Sequence, residues 1–221
     1  LGTSSDDYGG AIATGPDDSI FITGFTFGDI DGLTNAGSRD VFISKFDKDG
    51  NKNWTRMFGS TGDEYSQAIQ VDNNGSVYVS GYTDGSFHGQ LNSGSTDVFV
   101  TKYNSNGTHT WTRFLGGSGG DYNFQDGSLK VSTGKDSGTY VYVAGRTYSS
   151  SFLGAAGGSP DAFVTQLNGG DGAVLRNERF GKSNWSSAFG IELTYDNGYL
   201  HNVIVVGDTY QNAKSDIFVM P

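Results

Sequence analysis

Three kinds of side chain in this sequence are equipped for chemistry: clustered carboxylates, aromatic rings beside them, and three histidines. Acidic residues run into a tyrosine at Asp6-Asp7-Tyr8, Asp63-Glu64-Tyr65 and Asp121-Tyr122. A second group follows each of these, with Phe27, Asp29, Asp31, Asp84, Phe87, His88, Tyr148, Phe152 and Tyr210. An aromatic ring offers a flat apolar surface to the C–H face of a sugar, and a carboxylate accepts hydrogen bonds from its hydroxyls. The expected ligand residues are therefore Asp6, Asp7, Asp63, Glu64, Asp84, Phe87, His88, Tyr148, Phe152 and Trp185. Tyr8, Tyr65 and Tyr122 recur at matching places, and repeated positions usually serve repeated packing. Their first reading is structural.

The acidic turns suggest a cation. Asp29-Ile30-Asp31-Gly32 and Asp47-Lys48-Asp49-Gly50 both present the alternating oxygens that hard cations take, and neither continues into a twelve-residue loop ending in Glu. Asn104 and Asn168 stand where Asp47 does in the later copies, so Asp47-Asp49 reads as a hairpin turn. Asp29 and Asp31, with Asp40 closing their loop, are the candidate ligands for calcium, with a plain turn as the alternative. Catalytic residues are not identified: there is no G-x-S-x-G, H-E-x-x-H or P-loop pattern. His109 falls in a predicted outer strand and His201 in a predicted hairpin loop, so the histidines are not expected to cluster.

Composition narrows the class. The 221 residues include 35 Gly, 3 Pro and no Cys, which excludes a disulfide framework, a thiolate nucleophile and Cys-ligated zinc. A formal charge of −10 opposes nucleic-acid binding, which needs a basic footprint. No apolar run approaches the roughly 18 residues of a membrane helix, so no such span is expected. The sequence opens on Leu1 without a basic-then-apolar leader, which reads as a removed leader or an excised piece.

The elements that must position these residues are set by a repeat. The stretch DVFISKFDKDGNKNWTRMFG from Asp40 returns as DVFVTKYNSNGTHTWTRFLG from Asp97, as DAFVTQLNGGDGAVLRNERFG from Asp161, and as DIFVMP from Asp216. Each copy is preceded by a second block ending at Thr26, Thr83, Thr147 and Thr209. Four units follow, approximately 1–57, 58–114, 115–179 and 180–221, the last incomplete. Each reads as four short strands: Ala11–Thr14, Ile20–Thr26, Val41–Asp47 and Asn53–Phe58 in the first copy, and Ala68–Val71, Val77–Thr83, Val98–Asn104 and Thr110–Leu115 in the second. The second and third strands are apolar at consecutive positions, as in Val77-Tyr78-Val79 and Val98-Phe99-Val100. Strands of this kind bury both faces. The predicted fold is all-β, a β-propeller of four-stranded antiparallel blades, either part of a ring of about six to eight blades or a near-complete ring of four. Asp40, Asp97, Asp161 and Asp216 are expected to accept backbone N–H groups of the preceding loop. Gly24, Gly81, Gly145 and Gly207 are expected where the backbone approaches closely.

Residues Gly59–Thr83 (GSTGDEYSQAIQVDNNGSVYVSGYT) and Gly89–Gly116 (GQLNSGSTDVFVTKYNSNGTHTWTRFLG), with Asp29–Gly50 of the first copy, closely resemble the bacterial SBBP-type β-propeller repeat family. The third copy departs in its Ser132–Thr139 loop and at Leu175-Arg176, where a Trp-Thr pair stood, and the fourth lacks the Asp-Tyr pair. The resemblance implies a secreted or cell-surface propeller and carries no catalytic residues to transfer. The expected function is a non-catalytic binding or adhesion module for a glycan or protein at the cell surface. The alternative is a structural block of a surface layer, matrix or filament, acting through self-association or flanking domains, and a glycoside-acting enzyme has the least support.

Overall fold

The computed structural model describes residues 1–124, 126–132, 138–156, 160–180, 186–211 and 214–220. Four antiparallel sheets follow one another along the chain. The first runs β1 (Asp7–Thr14), β2 (Ile20–Thr26), β3 (Asp40–Phe46) and β4 (Lys52–Phe58), and the second β5 (Glu64–Val71), β6 (Val77–Thr83), β7 (Asp97–Tyr103) and β8 (His109–Leu115), each in chain order. In the third, β9 (Asp121–Asn123) and β10 (Leu129–Ser132), separated by a 3-10 turn at Asp126–Ser128, both pair with β11 (Tyr140–Thr147). A small hairpin of β12 (Ser151–Phe152) and β13 (Ala155–Ala156) precedes β14 (Asp161–Asn168) and β15 (Val174–Phe180). The fourth sheet holds β16 (Ser186–Asp196), β17 (Tyr199–Gln211) and β18 (Lys214–Met220). This is the blade construction of a β-propeller. The first strands begin earlier than expected, at the acid–tyrosine pairs, because these already lie in the ladder.

Three apolar clusters fill the junctions between successive sheets. Phe21, Val41, Ile43 and Phe58 on one face of the first blade meet Ile69, Val79, Phe99 and Tyr103 of the second. Tyr78, Val98, Val100 and Trp111 on the second blade's other face meet Leu129, Val143, Phe163 and Leu167, and Tyr142 and Ala162 meet Ile191 and Val205 in the third junction. Consecutive apolar residues in the middle strands thus serve two different junctions. The outer face of the first blade shows what happens without a neighbour. Ile12 is 63% exposed, whereas Ile69, at the same register in the second blade, is 1% exposed.

Backbone bonds stitch the same junctions near the blade tops. Glu64 N–H donates to the Arg39 carbonyl at 2.9 Å, Asp121 N–H to Thr96 at 2.7 Å, and Ser186 N–H to Pro160 at 3.2 Å. At the outer rim, Trp54 and Arg56 donate to the Ser105 and Gly107 carbonyls, and Trp111 and Arg113 to Gly169 and Gly172. In the third blade the strand register puts Arg176, not Leu175, opposite Gln166, where the earlier tryptophans stand. There Arg176 turns to Glu178 at 2.8 Å instead. Gly24, Gly81 and Gly145 leave no room for a Cβ: each would strike the carbonyl of Tyr8, Tyr65 or Tyr122 and the ring of Phe42, Phe99 or Phe163.

The unequal burial of equivalent isoleucines gives a direct test. Ile69→Ala is expected to cost about 2–5 kcal/mol in urea unfolding, the range for a truncated core aliphatic. Ile12→Ala is expected to cost less than about 0.5 kcal/mol, as surface changes do. Equal costs would contradict the junction packing.

Candidate functional site

The first two strands of the first three blades carry a row of aromatic rings along their upper ends. Cross-strand pairing puts Tyr8 beside Phe25 and Tyr65 beside Tyr82, and in the third blade Tyr122 beside Arg146. Ring centroids lie 4.9 Å apart for Tyr8–Phe25, 5.1 Å for Phe25–Tyr65, 4.8 Å for Tyr65–Tyr82, 5.2 Å for Tyr82–Tyr122 and 6.2 Å for Tyr122–Tyr148. The stacked and edge-on geometries are those favoured by the ring quadrupole. Arg146 closes the row with its guanidinium over Tyr148 at 5.0 Å and over Phe124 at 5.3 Å. Near the first junction Arg39 sits between Phe27 and Tyr65 and pairs with Asp63.

Where the row passes from the second blade to the third, the surface opens into a cleft of about 530 Å³. Tyr82, Tyr122, Phe124 and Tyr148 supply its rings, and Gln67, Ser95, Asn123 and Arg146 its polar groups. Gln67 is the extra residue of a bulge in β5, between Ser66 and Ala68, and a bulge re-aims side chains in this way. Asn123 is fixed from below by its bonds to the Ser80 and Ser128 hydroxyls at 2.9 and 3.3 Å. Tyr148 is 40% exposed at the rim. Rings, amides and one cationic fork together suit a neutral or weakly acidic ligand with hydroxyls and an apolar face.

Among the described residues, one of the expected ligand residues belongs here. Tyr148 lines the cleft. Asp84 is exposed, and its carboxylate accepts the Asp63 N–H at 2.7 Å, while Asp63 is held by Arg39. Asp6 and Asp7 lie at the exposed start of the first blade, where Asp7 accepts the Thr3 N–H at 2.6 Å. Phe87 and Phe152 are turned inward instead: at 6% and 0% exposure they are anchors of the junction cores. Glu64 is fully buried and accepts from Ser60 and Thr83. His88 leaves the upper face altogether and reaches the outer strand β8, against Thr112. Its ring lies 4.0 Å from that of His109, so two of the three histidines do cluster. His201 is in strand β17 rather than a loop. Trp185 lies outside the described residues.

Asp29, Asp31 and Asp40 do not come together as a calcium cage, and among the described residues no group of three acidic or histidine side chains does. Asp29 accepts the Asn35 N–H at 2.9 Å, Asp31 is occupied by Lys52 at 2.6 Å and by the Thr55 hydroxyl, and Asp40 is buried with Ala36 N–H on one oxygen. Asp47 is a turn residue, accepting the Asp49 and Asn51 N–H groups. Sequence reasoning missed Gln67, Tyr82, Asn123, Phe124 and Arg146, and read Tyr122 as structural. A signal existed for one of them: the residue before the recurring threonine is Phe25, then Tyr82, then Arg146, then Asp208.

The buried acids form a repeated electrostatic feature. Asp40 and Asp97 each accept a loop N–H with one oxygen, from Ala36 and Ser93 at 2.8 Å. Their other oxygens are buried without a hydrogen-bond partner. Each faces the glycine that follows the same blade's outer strand, Gly59 or Gly116, and an acid of the next blade, Glu64 or Asp121. In the third blade Arg179 pairs with Asp161 at 2.9 Å. Burial pushes the carboxyls of Asp40, Glu64 and Asp121 upward, and that of Asp97 up to about 6, with the neighbouring Asp121 adding to it.

Comparison with known proteins matches residues 53–88 to the beta-propeller repeat family SBBP, so the chain carries an SBBP repeat that spans the first junction. Over 190 residues, or 76% of the chain, it is 29% identical to the Regulatory protein FlaEY of Caulobacter vibrioides, of which it spans only 19%. A Bacteroides caccae protein of unknown function is similar over the whole chain and 62% of its own, at 11% identity and a TM-score of 0.47. The rhamnogalacturonan lyase YesW is more loosely similar, at 12% identity and a TM-score of 0.36 over 99% of this chain and 52% of its own.

The buried acids set a pH dependence. Asp97 titrates near 6 in the fold against 3.8 ordinarily, so between those values the folded chain holds a proton that the unfolded chain has lost. Stability therefore falls as pH rises from about 4 to about 6 and then levels off. Surface carboxylates held low, such as Asp17 at about 2 beside Ser19, act below that window. Asp97→Asn is expected to stabilise the chain at pH 8 by roughly 1–3 kcal/mol and to flatten the profile. Thermal melts of both proteins from pH 4 to 8 test this, and a variant less stable than the parent at pH 8 would refute it.

Proposed function

Since the chain carries an SBBP repeat and its upper face opens between the second and third blades, we propose that it is a non-catalytic binding module whose cleft takes a glycan, at the cell surface or outside the cell. The observation that carries this is the joint presence of Tyr82, Tyr122 and Tyr148 with Gln67, Asn123 and Arg146 around one open cleft. Pyranose rings stack on such rings while amides and guanidinium meet their hydroxyls. The acidic balance of the chain favours neutral sugars over strongly anionic ones, with Arg146 the one cation among the lining residues. No residue of the cleft is given a nucleophilic or acid–base role in this reading.

One observation favours a second reading. The exposed apolar face around Ile12 is a surface of the kind that blades cover, which suits a structural block joined to further blades or to a second chain.

A glycan array with the parent chain and with Tyr122→Ala, Tyr148→Ala and Lys48→Ala separates these. Binding is expected to weaken about tenfold or more, ~1.4 kcal/mol, in each tyrosine variant and to be unchanged in Lys48→Ala, which is remote in sequence and exposed. Unchanged binding by both tyrosine variants would remove the cleft from consideration. A blank array for the parent would favour the structural block.

A further inference from the structure

The connections between the second and third strands of the first three sheets share one device. Ile30, Phe87 and Phe152 are buried as anchors. The next residue turns into the left-handed region, with φ of 51° at Asp31, 50° at His88 and 47° at Leu153, and a glycine follows at 78°, 74° and 80°. Non-glycine residues seldom adopt this conformation. Anchoring on one side fixes where the left-handed residue goes: Asp31 reaches Lys52 and Thr55 on β4, and His88 reaches Thr112 on β8. Register identifies His109 with Lys52 and Thr112 with Thr55. The second blade has therefore exchanged an Asp–Lys ion pair for a pair of imidazoles.

Those imidazoles converge. His88 Nδ1 lies 2.8 Å and His109 Nε2 2.9 Å from the same Thr112 Oγ1, and the ring centroids are 4.0 Å apart. The hydroxyl is itself held by Thr101 Oγ1 at 2.8 Å, so the point of convergence is fixed on a strand. His88 is also wedged against Phe58 and Phe87, with centroids at 5.4 and 5.3 Å, and both histidines pack on Tyr103. Both residues keep an exposed edge. Burial against these rings, with His109 second, brings His88 down to about 4, and burial also lowers His109. Imidazole in its neutral form offers a lone pair to a metal.

We propose that His88 and His109 form a two-histidine surface site for a divalent transition-metal ion of the copper–zinc class, with solvent completing its coordination. Imidazole nitrogen suits these ions, at metal–nitrogen distances of about 2.0–2.1 Å for zinc, and copper binds more tightly than zinc at a given set of ligands. Binding an ion requires the two rings to turn from the Thr112 hydroxyl to the metal, with that hydroxyl left on its bond to Thr101. The bound ion ties the anchored connection to the outer strand, as the Asp31–Lys52 pair does in the first blade.

Isothermal titration of the chain with Zn²⁺ and, separately, Cu²⁺ at pH 7.5 tests the site, alongside His88→Asn, His109→Asn and His201→Asn. The expected result is one equivalent bound, tighter for Cu²⁺, weakened at least tenfold by either of the first two substitutions and untouched by the third. His109, on the exposed outer strand, is the variant that decides if His88→Asn fails to fold. No saturable binding, or binding that survives His109→Asn, or loss of binding in His201→Asn, overturns the proposal.

Discussion

A sheet whose middle strands are apolar on both faces has no stable existence alone, and that constraint shapes the rest of this molecule. Tyr78 and Val79 are neighbours in sequence, yet they serve different junctions, one toward the third blade and one toward the first. Each blade can be buried only by the next, so stability accumulates through nearest-neighbour contacts as in other repeat proteins. Close approach is what makes the stitching bonds possible, from Glu64 to Arg39, from Asp121 to Thr96 and from Ser186 to Pro160. Within each blade a second close approach forces glycine at Gly24, Gly81 and Gly145, under the carbonyls of Tyr8, Tyr65 and Tyr122 on the neighbouring inner strand. Once those three backbones are pinned, the side chains of the tyrosines have little choice but to line up, and the aromatic row follows.

The electrostatics obey the same geometry. Carboxylates at strand starts satisfy loop N–H groups that would otherwise be buried unpaired, a loss of about 1–3 kcal/mol each. They do so with one oxygen and leave the other against a glycine and the next blade's acid, at Asp40–Glu64 and at Asp97–Asp121. The third blade meets the problem differently, with Arg179 on Asp161. A chain of net charge −10 thus keeps some of its acids in places where ionisation is resisted.

The repeats, the doubly buried middle strands and the turn role of Asp47 were legible because each leaves a periodic or local mark. The position of a side chain relative to the blade was not. Phe87 and Phe152 looked like unrepeated aromatics suited to a ligand, yet Ile30, Phe87 and Phe152 each stand two residues before a glycine, four residues after Thr26 and Thr83 and five after Thr147. Sorting residues by chemical class hid that alignment, and the left-handed turn after each anchor is favoured by the residue types of Asp31 and His88 but not by that of Leu153. The meeting of His88 with His109 depends on the path of that connection down to the outer strand, so no spacing in the chain announces it. Tyr122 was set aside because it recurs. In the fold, recurrence brings it to the junction where the third blade departs from the pattern, with Arg146 in place of an aromatic ring, and the departure opens the cleft.

That cleft has one wall on each of two blades, Tyr82 on the second and Tyr122 and Tyr148 on the third. Anything bound there is held by two bodies whose separation is otherwise resisted only by their shared core and a few stitches. Occupancy would work as a rivet: its free energy of binding adds to that single seam, stiffening the arc at its middle while leaving the other seams as compliant as before.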